Sequence, residues 1–347
     1  MAAYAVACDT DFQYGIQFGN HASAPDFDTL TWTALATSAL PLEQDVVFQK
    51  NVRQYRPNRA SGFRHNRYEN VTNESQCIAP TCSMSLPATL PRLSDFLYGA
   101  FQSVTEAGGA PYKKDFVYPA TAGHPDLSAN AGAFFALVKK AASGSTSDQV
   151  IMSAIPRSLT LSCYPDQNNG RLTVQIEWTG RYHQEAQTYS GTLTYPTSWT
   201  YFNFADLKTT SFAGADVVLF GFTFTLANGM KQIPCEGYSA SGKSCQNAAF
   251  PRFHTTGSVD VLWNATLAGN LAKEVGTDML ALAIAWGSGA DPVTTTGDLL
   301  LKGSVKINSH SSVGNEESKR RIEFDCVEGS ATEAFEAHIC DNVDRSW

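Results

Sequence analysis

The segment Gly237-Tyr-Ser-Ala-Ser-Gly242-Lys243-Ser244 satisfies the pattern G-x-x-x-x-G-K-[ST]. That pattern cradles phosphates only when a buried strand feeds the glycine loop and a helix begins at the lysine, so that backbone N–H groups and a helix N-terminus face the ligand. Pro234 interrupts the approach, Pro251 follows Ser244 after six residues, and the flanking pattern is antiparallel rather than βαβ. The expected reading is an ordinary Gly/Ser loop. Metalloprotease and serine-hydrolase motifs are absent, and His338-x-Cys340 stands without further ligands nearby in the sequence. Acidic pairs occur at Asp9 with Asp11, Asp26 with Asp28, and Glu316 with Glu317. A β-sandwich glycosidase needs only two well-placed carboxylates, but surface solvation explains these pairs with fewer assumptions. No catalytic residue, metal or cofactor is expected.

The densest chemistry lies between residues 49 and 70. Lys50, Arg53, Arg56, Arg59, Arg64 and Arg67 are interleaved there with Tyr55, Phe63, His65 and Tyr68. Arginine among aromatics is a nucleic-acid signature. It is equally the composition of an interface hot spot, where Arg forks pair with carboxylates. In a chain of net charge −8, a basic arm meets acidic surfaces of its own kind. A contact loop between subunits, carried by Arg53, Tyr55, Arg56, Arg59, Phe63, Arg64, Arg67 and Tyr68, is the favoured expectation; a solvated loop and a nucleic-acid contact are the alternatives.

The same acidic balance argues against a protein that wraps nucleic acid by neutralising phosphates. Apolar residues make up 43% of the chain and charged residues 17%, a composition for cores beneath a Ser/Thr/Asn/Gln surface. The eight cysteines include no C-x-x-C pair, and Cys163 and Cys326 fall on apolar faces of expected strands, as small buried hydrophobes do. Sequons at Asn70, Asn73 and Asn264 lack the secretory context that would use them. The N-terminus has no basic and apolar leader pattern, and the longest apolar run, 279–286, is too short to span a bilayer. A protein assembled in the cytoplasm, without a membrane partner, is expected.

Positioning elements follow from periodicity. Val218, Phe220, Phe222, Phe224 and Leu226 alternate with small or polar residues and predict a long half-buried strand. Leu159, Leu161 and Cys163, a turn at 165–170, and Leu172, Val174, Ile176 and Trp178 predict an antiparallel hairpin. Leu93, Phe96, Leu97, Ala100 and Phe101 share one face of a helix over 91–102. The polar stretches 141–148 and 185–190 read as connections.

The plan occurs twice, at an offset of 175 residues. A polar loop (49–75; 234–250) precedes a strand (83–86; 258–263), then a helix (91–102; 265–275), an apolar strand (133–138; 279–286) and a closing strand pair (158–163 with 171–178; 299–307 with 321–327). Length alone favours two domains. The expected fold is mainly β: two duplicated β-sandwich domains, 1–184 and 185–347, each with a flanking short α-helix.

The runs IPRSLTLSC (155–163) and GRLTVQIEWTG (170–180) resemble the central hairpin of siphovirus tail tube proteins, the major tail proteins of long-tailed bacteriophages; VLFGFTFTLANG (218–229) and SVDVLW (258–263) are similar to that family in order and spacing. The resemblance implies tail-tube-type sandwiches whose inner sheets join those of neighbours into a barrel, and loops that reach the next ring. It also implies a structural virion protein rather than an enzyme, which polymerises with itself into stacked rings. Tape measure, tail terminator and distal tail proteins would be its partners, and viral DNA would pass through the lumen without sequence-specific binding. A doubled domain favours rings of three chains with pseudo-sixfold symmetry; six chains is the alternative. A carbohydrate-active enzyme or lectin, or another virion component such as a decoration protein or adhesin, are the competing functions.

Overall fold

The computed structural model describes residues 11–18, 37–40, 46–49, 54–55, 72–73, 79–90, 92–118, 133–140, 148–180, 182–187, 193–194, 200–213, 215–228, 232–239, 242–247, 253–272, 279–289, 293–313, 316–328 and 333–343. The chain is mainly β, and its strands build a large antiparallel sheet.

In chain order the elements are β1 (Asp11–Phe18), β2 (Thr37–Ala39), β3 (Gln54–Tyr55), β4 (Thr72–Asn73), β5 (Thr81–Pro87), β6 (Thr89–Leu90), α1 (Arg92–Phe101), β7 (Thr105–Ala107), β8 (Tyr112–Val117), β9 (Ala133–Lys140), β10 (Asp148–Cys163), β11 (Thr173–Thr179) and β12 (Tyr182–Gln187). There follow β13 (Leu193–Thr194), β14 (Thr200–Tyr201), β15 (Leu207–Phe212), β16 (Ala215–Asp216), β17 (Leu219–Ala227), β18 (Gln232–Ser239), β19 (Gly242–Asn247), β20 (His254–Leu262), α2 (Ala265–Ala272), β21 (Leu280–Trp286), β22 (Leu299–Val313), β23 (Glu316–Cys326) and β24 (Phe335–Asp341).

Two long strands organise these pairings. The first half of β10 lies between β9 and β12, and its second half lies between β11 and β17. Pro156, which has no N–H for a ladder, sits where the β10–β11 register shifts, and Asn228 closes that irregularity by donating its side-chain amide to the Pro156 carbonyl. The first half of β22 lies between β21 and β24, and its second half pairs with β23. Outward from these, β5 flanks β11 as β20 flanks β23, and β1 with β2 extends β9 as β15 with β16 extends β21. The hairpin β7–β8 interrupts the parallel: it follows α1, yet β8 pairs with β24.

The division expected between residues 184 and 185 falls inside β12, whose Gln184 and Gln187 pair with Val150 and Asp148 of β10. Polar composition there marks an outer strand rather than a linker. Residues before and after that point share one buried core and one ladder, since β10 and β17 are hydrogen bonded over six residue pairs.

The predicted elements otherwise fall close to where periodicity puts them. In β17, Phe222, Phe224 and Leu226 are buried as expected, but Val218 is exposed and Phe220 only half-buried. A register shift between Leu219 and Gly221 reverses the alternation, so that Leu219 turns inward instead. The Tyr164 ring occupies the space that a Cβ on Gly221 would need, which explains a glycine at the irregularity. Helix α1 is buried all round rather than on one face, including Arg92, Ser94 and Asp95. The N-terminus of α2 is capped by Asn264, whose Oδ1 accepts from the Leu267 N–H at 2.8 Å, a structural use for that residue.

Candidate assembly surface

Seven strands stand side by side in the order β5, β11, β10, β17, β20, β23, β22. Because side chains alternate across a pleated sheet, the register sorts them into rows on two faces. One row on the first face runs Leu86, Val174, Leu161, Phe224, Gly257, Phe324, Ile307. This face is the core side. Trp178 of β11 meets Phe135 of β9 at 4.9 Å and Phe96 of α1 at 6.1 Å, while Phe222 and Phe224 of β17 meet Trp286 of β21 and Phe335 of β24.

The second face is mainly polar, with Pro87 and Ala227 as apolar members. One row runs Ser85, Gln175, Thr160, Thr225, Thr256, Asp325, Lys306, and the next Thr173, Ser162, Thr223, Ser258, Glu323, Ser309. Hydroxyls dominate and bond one another, as Thr160 and Thr225 do at 3.0 Å. Two basic side chains on this face stand beside carboxylates. Arg321 donates to both Asp260 oxygens, at 2.7 and 3.0 Å, and His254 lies 3.7 Å from Asp325. Such a face offers hydrogen bonds and a mild negative charge, with little free positive charge to hold an anion. The alternating Ser and Thr of 158–162 and 223–225 were its sequence signal.

At one end of this ladder basic and aromatic groups interleave. Lys319 lies over the Phe220 ring at 5.1 Å, Arg320 lies over Trp263 at 5.4 Å, and the His310 ring stacks on Trp263 at 5.6 Å. Sequence reasoning missed this cluster; the run Lys319-Arg320-Arg321 could have signalled it.

Of the predicted contact loop, Tyr55 lies in β3, which pairs with β4 through Gln54↔Asn73 and Tyr55↔Thr72. The loop is thus bracketed by a short antiparallel pair. Arg53, Arg56, Arg59, Phe63, Arg64, Arg67 and Tyr68 lie outside the described residues. The phosphate-loop match forms the end of a β-hairpin, with Ser239 opposite Gly242 and Tyr238 opposite Lys243. Lys243 is therefore on strand β19 and starts no helix. Among the acidic pairs, Asp11 opens β1 and Glu316 and Glu317 open β23; Asp9, Asp26 and Asp28 are outside the described residues.

Cys82, Cys163, Cys326 and Cys340 are buried free thiols. Burial pushes Cys163 and Cys326 up to about 12, so both stay protonated and unreactive. Among the described residues no group of three His, Cys, Asp or Glu side chains could hold a metal ion. No described helix is long and apolar enough to cross a membrane.

Opposite the polar face, β8 is joined to β24 by two charge clusters. Lys114, fully buried, donates to Asp341 Oδ1 and to the Val343 carbonyl, both at 2.7 Å, and Asp341 also accepts from Ser94 Oγ of α1 and from the Val343 N–H. Nearer the surface, His338 Nδ1 lies 2.7 Å from Asp115 and Nε2 lies 2.9 Å from Glu336. Both nitrogens donate only in the imidazolium form. Burial is the strongest single influence on His338 and favours the neutral ring, but the two carboxylates together outweigh it and raise the pKa above 6.5. Asp115 is likewise burdened most by burial, yet held below the usual carboxylate range by His338 and Lys113.

A raised histidine pKa stabilises the fold fully below the unfolded value and less as pH rises through the folded one. Wild type should therefore exceed a His338→Asn variant in unfolding midpoint most below pH 6.5, with the gap narrowing as pH rises above it. The Asp115 contribution is present above the ordinary carboxylate range and fades as acid titrates it through its depressed value, so the gap should also close in strong acid. Chemical denaturation across pH measures both limbs, and a gap that widens above pH 6.5 would contradict the assignment.

No protein-family model matches the sequence, and comparison with curated proteins finds no significant relative.

Proposed function

We propose that this chain is a structural protein that polymerises with itself into stacked rings, forming the tail tube of a long-tailed bacteriophage, and that it performs no turnover chemistry. The observation that carries the reading is the seven-stranded ladder: apolar on one face, hydroxyl- and carboxylate-lined on the other, and continuous across both halves of the chain. The ordered recurrence of pairings around β10 and β22 supports two duplicated sandwich domains per chain, α1 and α2 being their flanking helices. Three chains then supply six domains and a ring with approximate sixfold symmetry.

On this reading the Ser/Thr rows face the lumen. DNA binding grows with the number of phosphates neutralised by Lys and Arg. A face whose Arg321 is already paired with Asp260 lets viral DNA slide without gripping it. The Arg-rich loop and the hairpin β18–β19 occupy corresponding places in the two halves and reach the next ring. Tape measure, terminator and distal tail proteins would meet the lumen and the tube ends.

Electron microscopy of the purified protein tests the proposal. Hollow cylinders of constant width, with three chains per ring and two alternating domains around the lumen, are expected. A chain that stays monomeric at high concentration, or that hydrolyses ATP or a glycan, would overturn it.

A further inference from the structure

The hairpin of β18 and β19 is a two-stranded sheet separate from the large one. A two-stranded sheet in water is marginal by itself, and this one carries further handicaps. Pro234 brings no N–H to its ladder, and the register slips between Pro234 and Tyr238. Pro234 stands opposite Cys245 and Tyr238 opposite Lys243, so residues 235–237 face Ser244 alone. In the strand sequences QIPCEGYS and GKSCQN, Ile233 and Tyr238 are the only large apolar or aromatic residues, and no apolar stripe offsets these losses. The ladder nevertheless continues on both sides of the slip.

Both strands carry a cysteine, Cys235 in β18 and Cys245 in β19, which is true of no other strand pair among the described residues. Residues opposed in an antiparallel pair have Cα atoms about 4.5–5.5 Å apart, and a disulfide spans about 4.4–6.8 Å. Cys235 directly follows the residue that opposes Cys245, at a bulge, where successive residues of one strand stand against one residue of the other. The buried cysteines are placed differently. Cys82, Cys163, Cys326 and Cys340 lie on β5, β10, β23 and β24, no two of which pair with each other, and burial pushes each of these thiols up. Lys243, two residues before Cys245, is a cation that favours a thiolate there, whereas Glu236 beside Cys235 disfavours one.

We propose that Cys235 and Cys245 form a redox-active dithiol site whose co-substrate is a small-molecule disulfide, and that its oxidation staples the β18–β19 hairpin at the slip. The Cys245 thiolate attacks one sulfur of the small disulfide and expels a thiolate. Cys235 then gives its proton to that thiolate, attacks the Cys245 sulfur and expels the second. Two protein thiols are oxidised, the small disulfide is reduced to two thiols, and the protein's two thiol protons end on them. In a reducing compartment the pair stays open, and in an oxidising one the staple persists. The site stands on the register of the hairpin and does not depend on the tube reading.

Oxidised glutathione added to the native full-length chain, followed by alkylation and tryptic mapping, tests the site. Cleavage after Lys231, Lys243 and Arg252 leaves the two cysteines on separate peptides, 232–243 and 244–252. The oxidised protein should yield these as one disulfide-linked pair, separable by dithiothreitol. Amides of residues 242–247 should then exchange about tenfold more slowly or less, while those of β17 stay unchanged. In C235S the reaction should stop at glutathione carried on Cys245. Wild type with both thiols still open to alkylation, or each capped by glutathione, would overturn the proposal, as would either cysteine linked to Cys8 or Cys77 instead. A linked pair that leaves exchange at 242–247 unaltered would overturn the staple.

Discussion

Replacing Lys114 by Met destabilises the fold by about 3–5 kcal/mol, the cost of leaving a buried carboxylate without its counter-ion. Asp341 is at most 3% exposed and receives the Lys114 ammonium at 2.7 Å, so water cannot take the cation's place. The double variant K114M/D341N should recover most of the loss. Its amide oxygen can still accept from the Val343 N–H while its amide nitrogen donates to Ser94 Oγ, and no bare charge remains in the interior. Denaturant unfolding of the four proteins forms a cycle, and a K114M loss below about 1 kcal/mol would show the pair to be hydrated. The same cycle reports on the splice: because Lys114 is on β8 and Asp341 on β24, exchange should rise in those two strands before it rises in β10 and β17.

Phe224→Ala should be of similar severity, about 3–5 kcal/mol, from lost burial and the cavity left behind. The ring is fully buried and touches Phe222 at 5.4 Å, Phe324 at 5.8 Å and Phe335 at 5.1 Å, which joins the ladder to β24 behind it. Gly257 stands between Phe224 and Phe324 in the row, and a Cβ there would come within 2.7 Å of the Phe324 ring. The rings meet because that position carries no side chain. Phe224→Leu keeps most of the apolar volume and should lose far less. Equal losses for Ala and Leu would mean that ring geometry, not volume, governs the site.

Much of the local structure was legible because it depends on neighbours in sequence. The hairpin of β10 and β11 follows from Leu159, Leu161 and Cys163 set against Leu172, Val174, Ile176 and Trp178, since period-two alternation with one buried face admits a single register. Helix α1 follows from its apolar spacing, and the failed phosphate loop from the prolines around it. The order of elements in the two halves was legible for the same reason.

Other features required the assembled sheet. No local rule tells β10 to pair with β17, because edge partners are chosen by which apolar faces can be buried together, and those faces lie on segments more than fifty residues apart. The register shift that turns Leu219 inward and leaves Val218 outside depends on the Tyr164 ring, contributed by another strand's end. The polar stretch 185–190 reads as a linker, but its first residues, to Gln187, belong to β12 and lie against β10. Nothing in the residues around Lys114 marks it as buried; Asp341, 227 residues later, supplies the partner that makes it an interior charge. What the sequence by itself determined was alternation, turn positions and element order, all set by short-range sterics and solvation; which edges meet and which charges are buried were decided by tertiary packing, where long-range burial outweighs local preference.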